Sequence, residues 1–224
     1  MNAFGNCTKE NWTRIRGAGD EESRRFFGKT CARVVKHDEI RYNEREKTEN
    51  RKVVCTMANK ALVVIYMQND YLWENRKKMF TYDTEELVAN VNQAIETYRE
   101  DGYDIIYIKH ILPKLLWGVG FSIRGTQGAK MYPGVKLESP LIFEKSRSNT
   151  FTSREFRNQV KEQGYEEMVL CGLDECGCVG ATAKGAVKAG IKTYMLTDCI
   201  GRRFPEERVK KMREELQALG VEYI

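Results

Sequence analysis

A cysteine in a glycine-rich stretch is the residue of this chain best placed for chemistry. Cys178 lies in residues 169–183, where an apolar run typical of a strand passes through a short loop into a helical pattern. We expect Cys178 in the first turn of that helix, because unpaired N–H groups and the helix dipole there stabilise a thiolate. A thiolate attacks carbonyl carbon. The alternative is that Cys178 is a small core residue, the usual fate of a free cysteine.

Other polar side chains follow the predicted strands where each strand stops. Tyr66 and Gln68 end the first strand, His110 ends the second and Lys145 the third, and the Cys178 loop ends the fourth. Because ligands of an open α/β sheet bind at the carboxyl ends of strands, we expect these side chains to face one crevice. Lys145 has two interpretations: a surface cation with a buried stem, or a buried ammonium held for chemistry.

The elements that position these residues alternate between strand and helix from residue 61 onward. A helix at 84–100 should begin after Asp83 as N-cap, with Glu86 three residues later. The other predicted elements are strands at 61–67, 104–109, 141–144, 167–171, 192–196 and 221–224, and helices at 152–163, 178–189 and 206–219. Apolar strands joined by helical crossovers require cover on both sheet faces. The predicted fold is therefore a three-layer α/β/α sandwich with a mainly parallel, Rossmann-like sheet.

Length and charge limit the classes of function. A chain of 224 residues can form one compact α/β domain and an appendage. The net charge of +5 arises mainly in residues 1–56, which hold 13 Lys and Arg against 9 Asp and Glu; the rest holds 24 against 23. The near-neutral main domain argues against nucleic acid as a partner.

Residues 1–56 are dense in charge and show no sustained helix or strand period. We expect a charged, disordered N-terminal extension, followed by a main domain at 57–224. An open alternative is that translation begins at Met57, because residues 57–60 lead directly into the first strand.

The cysteine count and the hydropathy pattern bear on location. Seven cysteines, an odd number, suit a reducing compartment. We find neither an apolar run of about 18 residues nor a signal-peptide pattern, which predicts a cytoplasmic protein with no membrane association. The pair Cys176 and Cys178 is a poor redox motif, because a one-residue spacer strains a disulfide.

Four stretches together resemble the isochorismatase-like cysteine hydrolases. They are residues 61–72, 124–130, 143–151 and 172–183, and the similarity runs from about 61 to 201 with that family's order and spacing. The resemblance implies a fold of the kind derived above, a small-molecule substrate and a homo-oligomer. It also implies hydrolysis of a small amide or related carbonyl compound through an acyl-enzyme.

The resemblance implies a site built from three side chains and a loop of backbone donors. The family's lysine and cysteine correspond to Lys145 and Cys178. A cis peptide bond is expected between Leu173 and Asp174, and N–H groups near Asp174 and Cys178 should form an oxyanion hole. The family's catalytic aspartate corresponds to Tyr66 here. A phenol, with a reference pKa of about 10, can donate a proton at neutral pH but hardly accept one.

Two consequences of this comparison concern the site's chemistry. Three carboxylates nearby in sequence, Asp70, Asp174 and Glu175, are candidates to replace the missing base, although each is displaced from the family position and a loop-capping or solvated role is more ordinary. Nicotinamidase-like members hold a metal through an aspartate and histidines after the second strand, where this chain offers His110. One imidazole does not make a metal site, so we expect neither metal nor other cofactor.

Further side chains are candidates for the substrate pocket: Gln68, Trp73, His110, Trp117 and Phe121. The aromatic ones could equally pack loops or a subunit interface. Three functional hypotheses remain. The first is the cysteine hydrolase, the second is a catalytically silent relative that binds a small molecule or partner, and the third is an interaction role for the basic extension.

Overall fold

The protein is described here from a computed structural model, which covers residues 59–74, 82–116 and 120–224. Its strands are β1 (Lys60–Ile65), β2 (Asp104–His110), β3 (Ile142–Lys145), β4 (Glu167–Leu173), β5 (Lys192–Gly201) and β6 (Glu222–Tyr223). Its helices are α1 (Asn69–Leu72), α2 (Thr84–Glu100), α3 (Arg154–Gln163), α4 (Gly180–Lys188) and α5 (Glu206–Ala218).

The six strands form one parallel sheet in the order β3-β2-β1-β4-β5-β6. Residues 61–65 of β1, near the middle of the sheet, are fully buried because helices cover both faces. The predicted three-layer fold is confirmed. The chain runs outward in one direction from β1 to β2 and in the other from β4 to β5, so a crevice is expected at the carboxyl ends of β1 and β4.

Helix α2 follows the sequence prediction at both ends. Its N-cap Asp83 accepts a hydrogen bond from the backbone N–H of Glu86 at 3.0 Å. Its apolar stripe, which includes Leu87, Val91 and Ile95, is buried in the main hydrophobic core.

Several boundaries beside the crevice differ from the prediction, and two of them change the surroundings of the site. Strand β1 ends at Ile65 rather than at residue 67, because Tyr66 has a left-handed φ of +59° and the short helix α1 follows. The helix expected from residue 178 begins at Gly180, since Glu175–Val179 form a π-helical turn before it. Cys178 therefore precedes α4 instead of occupying its first turn.

Strand β5 is longer than predicted. It continues past residue 196 to Gly201, after its register against β4 shifts between Leu170 and Gly172. Helix α3 begins at Arg154, two residues later than expected, because Thr150–Thr152 form a separate 3₁₀ turn. The predicted extension at 1–56, Met57 and Trp117 lie outside the described residues. Among the residues described, no helix combines the length and apolarity needed to cross a bilayer.

Candidate active site

A cavity of about 630 Å³ lies at the carboxyl edge of the sheet. Its wall includes residues that end or follow strands β1 to β5: Tyr66, His110, Ser146, Asp174 and Arg203. Cys178 and the rings of Tyr71, Tyr82 and Phe121 complete much of the lining. The position agrees with the expectation for an open α/β sheet, and the surface it offers is largely aromatic.

Cys178 is the most accessible thiol among the described residues. It is half-buried and lines the cavity, whereas Cys171, Cys176 and Cys199 are buried. Burial raises the pKa of each of these three thiols, which keeps them protonated and inert. Cys178 is thus the thiol that a cavity ligand can reach.

The turn that carries Cys178 is closed by backbone hydrogen bonds. The carbonyl oxygen of Asp174 accepts from the N–H groups of Gly177 at 3.0 Å and Val179 at 3.1 Å. The peptide bond between Leu173 and Asp174 is cis, at the position that the resemblance implied. The oxyanion hole expected from N–H groups near Asp174 and Cys178 stays a prediction.

Lys145 is a buried ammonium rather than a surface cation. Its side chain is 5% exposed, and Nζ donates to the carbonyl oxygens of Arg147, at 3.2 Å, and Ser148. Nζ also lies 4.5 Å from the centroid of the Tyr66 ring. Burial lowers the Lys145 pKa to about 8, and the nearby Cys178 sulfur opposes part of that shift.

Tyr66 is fixed in place as part of a stack of rings. Its ring lies 5.7 Å from that of Tyr71 and 5.0 Å from that of His110, centroid to centroid and nearly parallel. Its hydroxyl donates a long hydrogen bond of 3.5 Å to the carbonyl oxygen of Arg147. Burial, and then interaction with Cys178, raise the Tyr66 pKa far above its usual range. The phenol therefore keeps its proton at neutral pH.

His110 and Phe121 lie on the cavity wall beside this stack. The His110 Nδ1 is 2.7 Å from the Tyr71 hydroxyl, and burial lowers the His110 pKa, so the ring is neutral. Phe121 stacks on Tyr71 at 5.6 Å between centroids. The described residues contain no cluster of three or more His, Cys, Asp or Glu side chains suited to a metal ion. They do not fit the metal site of nicotinamidase-like proteins.

Two other pocket candidates, Gln68 and Trp73, lie outside the cavity lining. Gln68 is fully buried and does not line the cavity; its amide donates to the carbonyl oxygens of His110 and Ala129 and accepts from the His110 N–H. Gln68 therefore joins β2 to a loop, which is a structural task. Trp73 lines a separate surface depression with Tyr132. Trp117 lies outside the described residues.

The three carboxylates near the family position have different surroundings. Asp70 accepts from the backbone N–H of Ser122 at 2.6 Å. Glu175 is 1% exposed and pairs with Arg213 through two hydrogen bonds of 2.6 and 3.1 Å. Asp174 lies on the cavity wall with Cys178. Of these three carboxylates, Asp174 is the one in reach of a cavity ligand.

Arg203 is a cavity residue that the sequence interpretation missed. Its Nε donates to Oδ2 of Asp174 at 2.8 Å. The rule that polar residues at strand ends line the site would have found it, but the prediction ended β5 at residue 196. The extension of β5 to Gly201 brings Arg203 to the same edge as Cys178.

Comparison with known proteins decides the family. The family model for the isochorismatase domain matches residues 60–224. The chain belongs to the isochorismatase family. The isochorismatase family protein YddQ of Bacillus subtilis is 28% identical over 139 residues, which cover 62% of this chain and 75% of that protein. A nicotinamidase of Acinetobacter baylyi is 26% identical over 125 residues, covering 50% of this chain and 58% of that enzyme.

Solved structures share the isochorismatase fold with this chain. The pyrazinamidase of Pyrococcus horikoshii, crystallised in complex with zinc, matches with a TM-score of 0.64 at 23% identity and covers 74% of this chain and 98% of that one. The N-carbamoylsarcosine amidase of Thermoplasma acidophilum matches with a TM-score of 0.61 at 21% identity, covering 74% and 95%. At these identities the likeness supports the fold of this isochorismatase family member.

Proposed function

We propose that this protein is a cysteine hydrolase of a small amide or related carbonyl substrate. The observation that carries the proposal is an accessible thiol on the cavity wall, Cys178, in electrostatic contact with a buried cation, Lys145, which lies behind the Ser146, Arg147 and Ser148 part of that wall. Lys145 supplies the positive charge that stabilises a Cys178 thiolate. Among the described residues no carboxylate forms an ion pair with the Lys145 ammonium, whose hydrogen bonds go to the neutral carbonyl oxygens of Arg147 and Ser148.

The reaction follows from this arrangement. The Cys178 thiolate attacks the substrate carbonyl carbon, and backbone N–H groups near Asp174 and Cys178 stabilise the resulting oxyanion. Collapse releases the amine and leaves an acyl-enzyme on the sulfur, which water then hydrolyses. Tyr66 stands where the family has its aspartate, and because its pKa is raised it can donate a proton but not accept one.

The cavity supports a small, planar substrate. Its volume of about 630 Å³ and its wall of Tyr66, Tyr71, Tyr82 and Phe121 suit an aromatic or flat amide. The relatives named for an activity, a nicotinamidase, a pyrazinamidase and an amidase, support the amide class. Action in the cytoplasm as a homo-oligomer belongs to the same proposal.

Covalent capture at Cys178 tests the proposal. The protein is treated with iodoacetamide at near-neutral pH and the modified cysteine is located by peptide mass spectrometry, while ammonia release is followed from nicotinamide, pyrazinamide and N-carbamoylsarcosine. We expect preferential labelling of Cys178 and loss of hydrolysis in Cys178→Ala. Labelling no faster than that of a free thiol, with no release from any of the three compounds, would count against the hydrolase.

A catalytically silent binding protein is the second candidate, and one observation favours it. The position of the family's carboxylate is filled by a buried phenol that cannot accept a proton. If the protein is silent for that reason, Tyr66→Asp should create turnover of the three amides where the natural chain has none. Aspartate is also better tolerated than tyrosine at the left-handed φ of residue 66.

A further inference from the structure

A residue that lines the candidate site has a buried carboxylate oxygen without a hydrogen-bond donor. Asp174 is 9% exposed, and its Oδ2 accepts from Arg203, whereas Oδ1 has no partner among the described residues. A buried acceptor left unpaired costs free energy, so such groups in native proteins usually have a function or a missing partner. Asp174 and Cys178 line the same cavity, so the unpaired acceptor belongs to a residue of the cavity wall.

The local backbone holds this carboxylate beside the nucleophile. Asp174 begins the π-helical turn that contains Cys178 and closes it through its carbonyl oxygen. Gly177, the residue before Cys178, has no side chain; a Cβ there would lie 2.8 Å from Oδ2 and 3.0 Å from Oδ1 of Asp174. The glycine leaves room for the Asp174 carboxylate to pack against the turn.

The other titratable groups around Cys178 are poorly suited to accept its proton. Tyr66 holds its own proton because its pKa is raised. The Lys145 ammonium donates to two carbonyl oxygens. The His110 ring is bound to the Tyr71 hydroxyl and to the backbone of Ser146. A group that takes and returns protons needs a free acceptor, and Asp174 Oδ1 is one.

We propose that Asp174 is the acid–base residue of this site and supplies, from the loop after β4, the carboxylate that Tyr66 excludes from the end of β1. This proposal rests on the hydrolase function proposed above. Oδ1 takes the proton of the Cys178 thiol, which forms the thiolate that Lys145 stabilises and that attacks the carbonyl carbon. It then gives that proton to the leaving nitrogen as the C–N bond breaks.

Deacylation uses the same oxygen a second time. Oδ1 takes a proton from the attacking water as the C–O bond forms, and returns it to sulfur as the C–S bond breaks. The sum is one amide and one water converted to one carboxylic acid and one amine. The surroundings of Asp174 suit this cycle: burial has the largest effect and raises its pKa, while Arg203, Arg208 and a hydrogen bond from the backbone of Gly177 lower it. Its charge also raises the pKa values of Tyr66 and Cys176.

The test uses 4-nitrophenyl acetate, whose leaving group departs without needing a proton. Natural chain, Asp174→Asn and Cys178→Ala are compared for the initial burst of nitrophenolate, for steady turnover and for the acetyl adduct on Cys178 by mass spectrometry. We expect Asp174→Asn to keep a burst of one equivalent and to deacylate about 100-fold more slowly or worse, so that the acetyl-enzyme accumulates. Asp198→Asn, the same change at an exposed position outside the cavity lining, should turn over as the natural chain does.

Each outcome separates this proposal from the hydrolase itself. Turnover by Asp174→Asn at the natural rate, lost in Cys178→Ala, would overturn the role of Asp174 and leave the hydrolase standing. Acetylation of the natural chain at Cys178 without turnover would also overturn that role, since no base would then be serving deacylation. Failure of the natural chain to acetylate at Cys178 would overturn both. Substitution of a residue that only shapes the turn would not trap an acetyl-enzyme. Circular dichroism checks that the Asp174→Asn protein is folded.

Discussion

The Lys145 ammonium lies 4.5 Å from the centroid of the Tyr66 ring, so a buried cation faces an aromatic surface. A cation–π contact in a desolvated setting contributes roughly 2 kcal/mol. That is less than a close carboxylate provides, and burial accordingly lowers the Lys145 pKa to about 8. The cation is charged at neutral pH but close to losing its proton.

Removing this cation should slow the chemistry of Cys178. In Lys145→Met the positive charge beside the sulfur is lost while the buried volume is kept, so iodoacetamide should alkylate Cys178 at least about tenfold more slowly near neutral pH. The rate is measured by peptide mass spectrometry. Lys188→Met, which removes an exposed cation at the end of α4, is the matched control. Equal alkylation of all three proteins would show that Lys145 does not act on the sulfur.

The same lysine should make stability depend on pH. Its pKa is about 8 when folded against a reference of 10.5, so between these values the unfolded chain binds more protons than the folded one. The free energy of unfolding of the natural chain, relative to Lys145→Met, should therefore rise by up to about 3 kcal/mol as pH rises from about 8 through about 10.5. Urea unfolding of both proteins across this range measures it. A difference that stays constant or falls would contradict the lowered pKa.

Crowding the Asp174 carboxylate should mimic its loss. A methyl group in Gly177→Ala would lie about 3 Å from both carboxylate oxygens and must displace them. We expect slow deacylation of the acetyl-enzyme, as in Asp174→Asn, with the burst retained. Combining the two substitutions gives the control, because they should not add if they act on one group. Fully additive losses would mean that Gly177 has a separate role.

The buried pair of Glu175 and Arg213 should matter to folding more than to chemistry. Arg213→Met leaves the Glu175 carboxylate, 1% exposed, with Arg202 at 3.8 Å as its remaining cation. The expected loss is about 2–3 kcal/mol in the free energy of unfolding, measured with urea. Lys192→Met breaks the exposed pair with Glu222 and should leave the unfolding midpoint nearly unchanged. Equal effects of the two changes would contradict the importance of burial.

Much of the framework could be predicted because its causes are local in sequence. Apolar runs gave β1, β2 and β4, and Asp83 with Glu86 marked the start of α2. The rule that ligands bind at strand ends placed Tyr66, His110 and Cys178 at one cavity. These inferences needed no knowledge of distant partners.

The remaining features depend on contacts between distant parts of the chain. Gln68 reads as a pocket residue, yet its amide is used by His110 and Ala129, more than 40 residues away. The extension of β5 depends on a register shift against β4, so Arg203 could not be placed. The free oxygen of Asp174 is likewise a property of packing, since its sequence position suggests an ordinary capping residue.

The parallel sheet brings the carboxyl ends of β1 to β5 to one rim, with each end carrying its own loop. A reactive group lost from one loop can then be regained on a neighbouring loop while the strands beneath stay unchanged. If Asp174 performs the acid–base role of residue 66, that role has moved from the loop after β1 to the loop after β4 during evolution. In such a fold, the spatial position of a reactive group identifies its role better than its position in a sequence alignment.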